Sequence, residues 1–297
     1  MSQYPVYPPL VTPCAPDGSV DTDALAALVA RVEERGVDGV VPCGTTGEFA
    51  SLTGPEQRQV FETTADAATG QVIAGVSHTG VAGVRERIDW AADAGCDAVL
   101  LTGPYFHSEN AAGGTVEFVR DAVAEATLPV YLYNIPVYVG EALDRETVLT
   151  LAADERVRGI KDTSGDLEYL LALVRETDES FEVLCGYDGI LVPALTSGAT
   201  GGINALANVV PEVLDAATSA LADGDLDTAV TLSQEDIAPL FEQCATYGFA
   251  PATKAGAAAR GFLDATAVRP PLVELTAEER ADVATAVDEA LSVLDEV

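Results

Sequence analysis

Eight short runs of apolar and β-branched residues recur along the chain, and a segment with helical periodicity follows each of them. Runs that are apolar on both faces are typical of the buried strands of a parallel sheet. No GxGxxG motif follows the first run, which disfavours an open doubly wound sheet. The pattern therefore predicts an α/β fold, a (β/α)8 TIM barrel. The predicted strands are Val6–Thr12, Gly39–Pro42, Val72–Val76, Ala98–Thr102, Val130–Asn134, Val157–Lys161, Glu182–Cys185 and Gly201–Asn204.

Beyond the eighth strand–helix unit the chain carries helical patterns only. We therefore predict a barrel over residues 1–222 and a C-terminal helical extension, residues 223–297, packed on the barrel. Pro270-Pro271 indicates a turn within the extension rather than a domain linker. The predicted later helices are Val84–Ala94, Val116–Ala126, Arg145–Ala152, Asp166–Glu176, Gly189–Ser197, Asp225–Cys244, Pro251–Phe262 and Thr276–Leu294.

The net charge limits the partners that this chain can have. Asp and Glu total 48 residues against 15 Lys and Arg, for a formal net charge of −33. Such a surface repels nucleic acid and anionic membranes, so we expect neither as a partner. The acidic residues are spread over predicted helix faces, and hydrophobic residues make up 48% of the chain, which indicates a packed core rather than an acidic disordered protein.

Cysteine usage and the N-terminal residues predict a cytoplasmic protein. Five widely scattered cysteines form no CxxC pair, which disfavours a disulfide framework or a zinc cluster. The opening residues lack the basic start and apolar run of a secretory signal. His78 and His107 are the only histidines and are not spaced as metal ligands, so we expect no metal and no other cofactor.

The excess of carboxylates predicts a protein of the halophilic type, in which concentrated counterions screen the repulsion among like charges. Transfer from molar potassium chloride to low salt should then lower the melting temperature. A thermal denaturation series over salt concentration measures this effect. A melting temperature that stays constant throughout the series would contradict the prediction.

Lysine is scarce in this chain, because Lys161 and Lys254 are the only two. Lys161 closes the sixth predicted strand, whose alternation directs the side chain into the barrel. An ammonium is costly to bury unpaired, and burial favours the neutral amine that attacks a ketone carbonyl to form an imine. An ion pair with Asp162 is the alternative, but successive strand residues face opposite ways. Lys254 lies within a helical pattern and is interpreted as structural or rim-facing.

Two further strand ends offer hydroxyl groups at the predicted barrel mouth. Tyr133 is two residues from Tyr131 on the fifth strand, so both face one way, and its phenol could transfer a proton beside Lys161 or be a buried hydroxyl bonded to backbone. The turn 44–47, Gly-Thr-Thr-Gly, follows the second strand and has amides and hydroxyls suited to a carboxylate. Asp188, after the seventh strand, could bind substrate hydroxyls or cap the next helix.

Motifs in order along nearly the whole chain resemble the dihydrodipicolinate synthase / N-acetylneuraminate lyase family of pyruvate-dependent class I aldolases. They are Leu10-Val11-Thr12-Pro13 with Asp17-Gly18, Gly44-Thr45-Thr46-Gly47-Glu48, Tyr133-Asn134-Ile135-Pro136, Gly159-Ile160-Lys161-Asp162 and Arg269-Pro270-Pro271-Leu272.

The resemblance implies a role for each matching residue. Lys161 would form the imine with pyruvate or another 2-keto acid. Tyr133 would be the proton shuttle, with Thr45 hydrogen-bonded to its hydroxyl. Thr46 and Gly44 would hold the carboxylate, and the Ile203 carbonyl would lie close to the keto acid. The family is usually tetrameric, so the resemblance also implies a homotetramer.

Departures from the family's motifs bear on the second substrate. The synthases typically carry Tyr-Asn-Val-Pro-Ser-Arg-Thr-Gly, whose arginine holds a substrate carboxylate, and here Tyr138 stands at that position. They also typically carry Pro-Tyr-Tyr, whose second tyrosine enters a neighbouring subunit's proton relay, and here it is Phe106. Sialic-acid lyases usually have an Asp-Glu pair where this chain has Asp188-Gly189.

Two other stretches are similar to archaeal 2-keto-3-deoxygluconate aldolases. They are Lys161-Asp162-Thr163 and Gly186-Tyr187-Asp188, and by this resemblance Thr163 and Asp188, with Tyr138, would contact sugar hydroxyls. Those aldolases often lack the glutamate found here as Glu48. We therefore expect a lyase that cleaves 2-keto-3-deoxygluconate, or a related sugar acid, to pyruvate and an aldehyde. The alternatives are dihydrodipicolinate synthase, a keto-acid dehydratase, and a non-catalytic sensor that binds keto acids.

Overall fold

A computed structural model describes residues 2–107 and 113–293 of the chain. Its centre is one sheet of eight parallel strands in the order β1-β8-β7-β6-β5-β4-β3-β2. The strands are β1 (Val6–Tyr7), β2 (Gly39–Val40), β3 (Gln71–Gly75), β4 (Ala98–Thr102), β5 (Val130–Asn134), β6 (Val157–Asp162), β7 (Glu182–Cys185) and β8 (Gly201–Ile203).

The first and second strands close the sheet into a barrel. The Val41 amide donates to the Pro8 carbonyl at 2.9 Å, and the Leu10 amide donates to the Val41 carbonyl at 3.0 Å. The predicted TIM barrel is therefore confirmed. The first predicted strand, Val6–Thr12, is too long, because Pro8 and Pro9 have no N–H to donate to a ladder and the regular pairing ends at Tyr7.

Helices follow the strands and surround the barrel. They are α1 (Thr22–Glu33), α2 (Gly54–Ala67), α3 (Val81–Ala94), α4 (Gly114–Val123), α5 (Pro136–Val139), α6 (Arg145–Ala152), α7 (Leu167–Glu176), α8 (Leu191–Thr196), α9 (Pro211–Ala222), α10 (Leu226–Thr231), α11 (Ala238–Tyr247), α12 (Phe249–Ala259) and α13 (Ala277–Ser292). None of the helices within the described ranges is long and apolar enough to cross a membrane.

Side-chain caps set the beginnings of several of these helices. Asp21 accepts a hydrogen bond from the Ala24 amide at the start of α1, and Asp166 accepts one from Tyr169 at the start of α7. Thr53 and Glu56 form a reciprocal capping box at the start of α2. Such caps satisfy amides that have no partner within the helix.

The strands separate two hydrophobic clusters. The larger fills the space between sheet and helices, and the smaller fills the barrel, as strand alternation requires. The smaller cluster consists of Tyr7, Val41, Ile73, Ala98, Leu100, Tyr131, Tyr133, Ile135, Leu184 and Ile203. The prediction that Tyr131 and Tyr133 face the same way is confirmed, because both lie inside the barrel.

The C-terminal helices pack on one another and on the barrel. A π-helical segment, Leu232–Ile237, joins α10 and α11, so the chain is helical from 226 to 247. The α12 helix is buried from Ala250 to Ala257 and contacts α11, α13 and the 3-10 turn Ala205–Asn208 after β8. The predicted end of the last helix, Leu294, lies outside the described residues.

Candidate active site

Lys161 and Tyr133 lie side by side inside the barrel mouth. The register of β5 and β6 pairs the two residues directly, near the carboxyl ends of both strands. Lys161 is only 4% exposed, and its ammonium nitrogen donates to the Tyr133 hydroxyl at 3.3 Å. The same nitrogen is 4.3 Å from the centre of the Tyr133 ring. A buried amine and a phenol are therefore within proton-transfer distance.

Thr45 extends this pair into a line of three polar groups. Its hydroxyl donates to the Tyr133 hydroxyl at 3.5 Å. Thr45 lies in the turn 44–47, which begins after Cys43 and ends at Glu48. The line Thr45–Tyr133–Lys161 brings together three of the residues that sequence analysis singled out.

Two hydrogen bonds to main-chain carbonyls hold the turn that carries Thr45 and Thr46. The Glu48 amide donates to the Thr45 carbonyl at 3.0 Å, and the Thr12 hydroxyl donates to the Gly47 carbonyl at 2.7 Å. Glycine is required at 47, because a Cβ there would lie 2.7 Å from the Leu10 carbonyl oxygen. Thr46 is buried, with 8% of its surface exposed, next to Thr45 in the same turn.

Asp162 belongs to a separate hydrogen-bond network outside the barrel lumen. Its carboxylate accepts the Asn134 side-chain amide at 2.7 Å and the Ser164 hydroxyl at 2.9 Å. Burial raises the pKa of the Asp162 carboxyl, although these donors oppose the shift. The side-chain oxygen of Asn134, Oδ1, in turn accepts a hydrogen bond from the Leu143 amide at 3.0 Å. Asp162 therefore braces β5 against β6, as its opposite orientation from Lys161 predicts.

Thr163 and the side chain of Lys161 both lie close to Gly186. A Cβ at Gly186 would lie 2.2 Å from the Thr163 hydroxyl oxygen and 2.6 Å from Cε of Lys161, so only glycine leaves room for both. The Thr163 hydroxyl is buried without a hydrogen-bond partner among residues 2–107 and 113–293. A buried hydroxyl in this condition is suited to a bound polar molecule.

Asp188 is held by the backbone in this structure. Its carboxylate accepts the Leu206 amide at 2.9 Å and the Ala205 amide at 3.3 Å, so it fixes the turn that follows β8. Burial raises the pKa of Asp188 to about 6, and these amides and the charge of Lys161 oppose the shift. Contact between Asp188 and a substrate remains a prediction.

The other predicted site residues lie at the edge or the floor of the mouth. Tyr138 is on the short helix α5 and is 59% exposed. Ile203 ends β8 and is fully buried within the barrel. Phe106 is 77% exposed, with its ring 4.8 Å from that of His107. Hydrogen bonds therefore join the three catalytic candidates Lys161, Tyr133 and Thr45.

Sequence analysis did not identify one ion pair next to this site. Lys254 on α12 is fully buried and lies 2.5 Å from the Glu48 carboxylate, directly after the 44–47 turn. The structural interpretation of Lys254 is therefore confirmed, and a rim position is excluded. Because lysine is scarce in this chain, the sequence marks Lys254 as a residue with a specific role, but no local pattern indicates that Glu48 is its partner.

A lysine amine within a TIM barrel mouth, beside a tyrosine, is an arrangement suited to Schiff-base chemistry. The chain belongs to the dihydrodipicolinate synthetase family, whose model matches residues 4–290. It is an enzyme, a lyase of the class I aldolase type.

Among its relatives is a 4-hydroxy-tetrahydrodipicolinate synthase of Methanosarcina acetivorans, 38% identical over 235 residues, which covers 78% of this chain and 80% of the relative. Another, from Methanosphaerula palustris, is 36% identical over 98% of this chain and 99% of the relative. Both relatives carry the same name.

Solved structures resemble the whole described fold. A dihydrodipicolinate synthase of Bacillus anthracis is 26% identical, with a TM-score of 0.92 over 97% of this chain and 98% of the other. YagE of E. coli K12, solved in complex with pyruvate and described as a member of the dihydrodipicolinic acid synthase family, is 28% identical, with a TM-score of 0.92 over 97% and 98%.

Proposed function

We propose that this enzyme binds pyruvate as an imine on Lys161. The amine nitrogen attacks the ketone carbon, and the carbonyl oxygen leaves as water. The resulting iminium withdraws electrons from the adjacent methyl carbon, which loses a proton to give an enamine. The enamine carbon attacks an aldehyde to form a carbon–carbon bond, and water then releases the product and restores the amine. Run in reverse, the same steps cleave a 4-hydroxy-2-keto acid.

The observation that carries this proposal is the 3.3 Å distance between the Lys161 nitrogen and the Tyr133 hydroxyl inside a buried mouth. Both imine formation and aldol chemistry require protons to move at the reacting atoms. Tyr133 is the group within reach of the nitrogen, and Thr45 orients its hydroxyl. In this mechanism Thr46 and Gly44 bind the carboxylate of the keto acid, and the Ile203 carbonyl lies close to the bound molecule.

For the second substrate, we propose aspartate semialdehyde. The support is that relatives 36–38% identical over most of this chain are named 4-hydroxy-tetrahydrodipicolinate synthase. Aldol addition of the Lys161 enamine to an aldehyde is the step that such a condensation requires. This proposal replaces the expectation that sugar-acid cleavage is the main activity.

Cleavage of 2-keto-3-deoxygluconate is the second candidate, and particular residues favour it. Tyr138 offers a neutral, exposed hydroxyl where the synthases typically carry an arginine. The Thr163 hydroxyl beside Lys161 is buried and free of a partner within the described ranges, which suits a polyol oxygen.

Parallel assays of one preparation in molar potassium chloride distinguish the two candidates. One assay follows the loss of aspartate semialdehyde in the presence of pyruvate, and the other follows pyruvate release from 2-keto-3-deoxygluconate. The synthase proposal expects the larger kcat/KM in the first assay. A larger kcat/KM in the second would replace it with the aldolase. Turnover in neither assay by protein that still traps pyruvate would refute both assignments and leave the imine chemistry intact.

We also propose that the enzyme is a cytoplasmic homotetramer. Phe106, Val137 and Tyr138 are large, exposed apolar or aromatic side chains, which are favoured at contacts between subunits. Sedimentation velocity in molar salt tests the assembly. A monomer across the measurable concentration range would refute it.

Substitution of Thr45 by valine tests the orientation of the phenol. Valine preserves the shape of the side chain but removes its donor to Tyr133, so we expect kcat to fall about tenfold, the effect of one hydrogen bond. The melting temperature should remain near that of the wild type. Steady-state kinetics measure the effect, and an unchanged kcat would remove Thr45 from the proton path.

A further inference from the structure

Two residues of the C-terminal extension contact Glu48, the residue directly after the turn that carries Thr45 and Thr46. The two oxygens of Glu48 have separate partners: one lies 2.5 Å from the Lys254 nitrogen, and the other accepts the Arg269 main-chain amide at 2.8 Å. Lys254 also donates to the Ala267 carbonyl at 2.7 Å. A single carboxylate next to the turn is thus bound by α12 and by the segment 267–269.

The burial of this pair makes its geometry restrictive. The Lys254 side chain is 0% exposed and that of Glu48 is 2% exposed, so solvent does not screen the attraction. Glu48 also has a φ of 58°, in the left-handed region that a residue with a Cβ adopts at a cost. Surrounding contacts must therefore hold this conformation, and the contacts with Lys254 and Arg269 are those that its carboxylate makes.

A second contact anchors the same segment outside the turn. The Arg269 guanidinium donates to both carboxylate oxygens of Glu56 at 2.6 and 2.9 Å, and to the Gly18 carbonyl at 2.6 Å. This interaction lowers the pKa of Glu56 to about 2. Segment 267–269 is therefore itself fixed to the barrel and can serve as a rigid support for Glu48.

We propose that the Lys254–Glu48 ion pair is a positioning device through which the C-terminal extension sets the geometry of the 44–47 turn, and with it the affinity of the site for a 2-keto acid. Neither residue touches the substrate in this account. The inference rests on the proposed function in that Thr46 and Gly44 bind the carboxylate. It also explains why the second of only two lysines in the chain lies in the core.

The test uses the full chain with two variants and a matched control. Lys254→Met leaves the Glu48 charge buried without its cation, which threatens folding. The double variant Glu48→Gln/Lys254→Met removes both charges and avoids that cost. The control is Arg260→Met: Arg260 follows α12 and binds the Glu212 carboxylate at 2.5 Å and the Val209 carbonyl at 2.8 Å, away from the turn.

The first readout is borohydride trapping of pyruvate on Lys161 as a function of pyruvate concentration. In the double variant we expect the half-saturating concentration to rise at least about tenfold, and up to ~10²-fold, as for a small displacement of a binding group. The control should keep the wild-type value. A wild-type value in the folded double variant, or an equal rise in the control, would overturn the proposal.

The second readout does not depend on catalysis. Hydrogen exchange at the Glu48 and Phe49 amides, which donate to the Thr45 and Gly44 carbonyls at 3.0 and 3.4 Å, should accelerate in the double variant, while the amides of β4 keep their protection. Unchanged exchange in the turn would refute the positioning role even if pyruvate is never trapped. Conversely, faster exchange in the double variant, together with a wild-type enzyme that traps no pyruvate, would refute the proposed function and leave the mechanical coupling standing.

Discussion

Replacement of Lys161 by alanine is expected to abolish turnover while leaving the barrel folded. The change removes the only nucleophile that the mechanism uses, and loss of a covalent catalyst typically reduces kcat by a factor on the order of 10⁴–10⁶. It also removes a buried polar group, whose desolvation opposes folding, so we expect no large loss of stability. Steady-state kinetics and thermal denaturation in molar salt measure the two effects.

Arg158 on the same strand provides the control for this variant. Arg158→Ala removes an exposed ion pair with Glu182, 2.8 Å long, at the other end of β6. Exposed pairs contribute little, so stability and turnover should both stay close to the wild type. Measurable turnover by folded Lys161→Ala protein, above a preparation without enzyme, would refute covalent catalysis at this residue.

Replacement of Tyr133 by phenylalanine is expected to slow turnover by roughly 10²–10⁴-fold, the usual contribution of a general acid–base group. The ring and its packing remain, but the hydroxyl 3.3 Å from the Lys161 nitrogen is lost. Pyruvate should still be trapped on Lys161 by borohydride, only more slowly, because the amine is intact.

Tyr131→Phe is the matched control, since both tyrosines lie on β5 and face the barrel interior. The Tyr131 hydroxyl donates to Glu182 at 2.7 Å, far from the reacting atoms. Its loss should cost about 1 kcal/mol of stability, typical of one hydrogen bond, and leave kcat near the wild type. Equal reductions of kcat in the two variants would indicate that Tyr133 acts through packing and not through its proton.

Three of the eight predicted strands have the predicted bounds, namely Ala98–Thr102, Val130–Asn134 and Glu182–Cys185. These runs are rich in apolar residues and almost entirely buried, so local pattern and tertiary burial agree. Lys161 and Tyr133 then fall on the inside of the barrel by alternation alone, and their proximity follows from neighbouring parallel strands.

Contacts between distant segments could not be predicted in this way. Glu48 and Lys254 are in contact, but nearly all the strands of the barrel lie between them in the sequence, and no periodicity relates the two positions. The partners of Asp188 are likewise distant in sequence. Substrate binding and helix capping were both open from the sequence, whereas the carboxylate accepts hydrogen bonds from amides that follow the next strand. Side chains that select the second substrate depend on loop geometry of this kind, which short-range patterns do not encode.

The most direct test of the central claim is peptide mapping after borohydride reduction of the wild-type enzyme in the presence of pyruvate. We expect that one peptide, the one containing Lys161, gains the mass of a reduced pyruvate imine, and that omission of pyruvate or of borohydride abolishes the gain. An adduct on Lys254 or on the N-terminal amine, or folded protein without any adduct, would contradict the assignment of Lys161 as the Schiff-base residue.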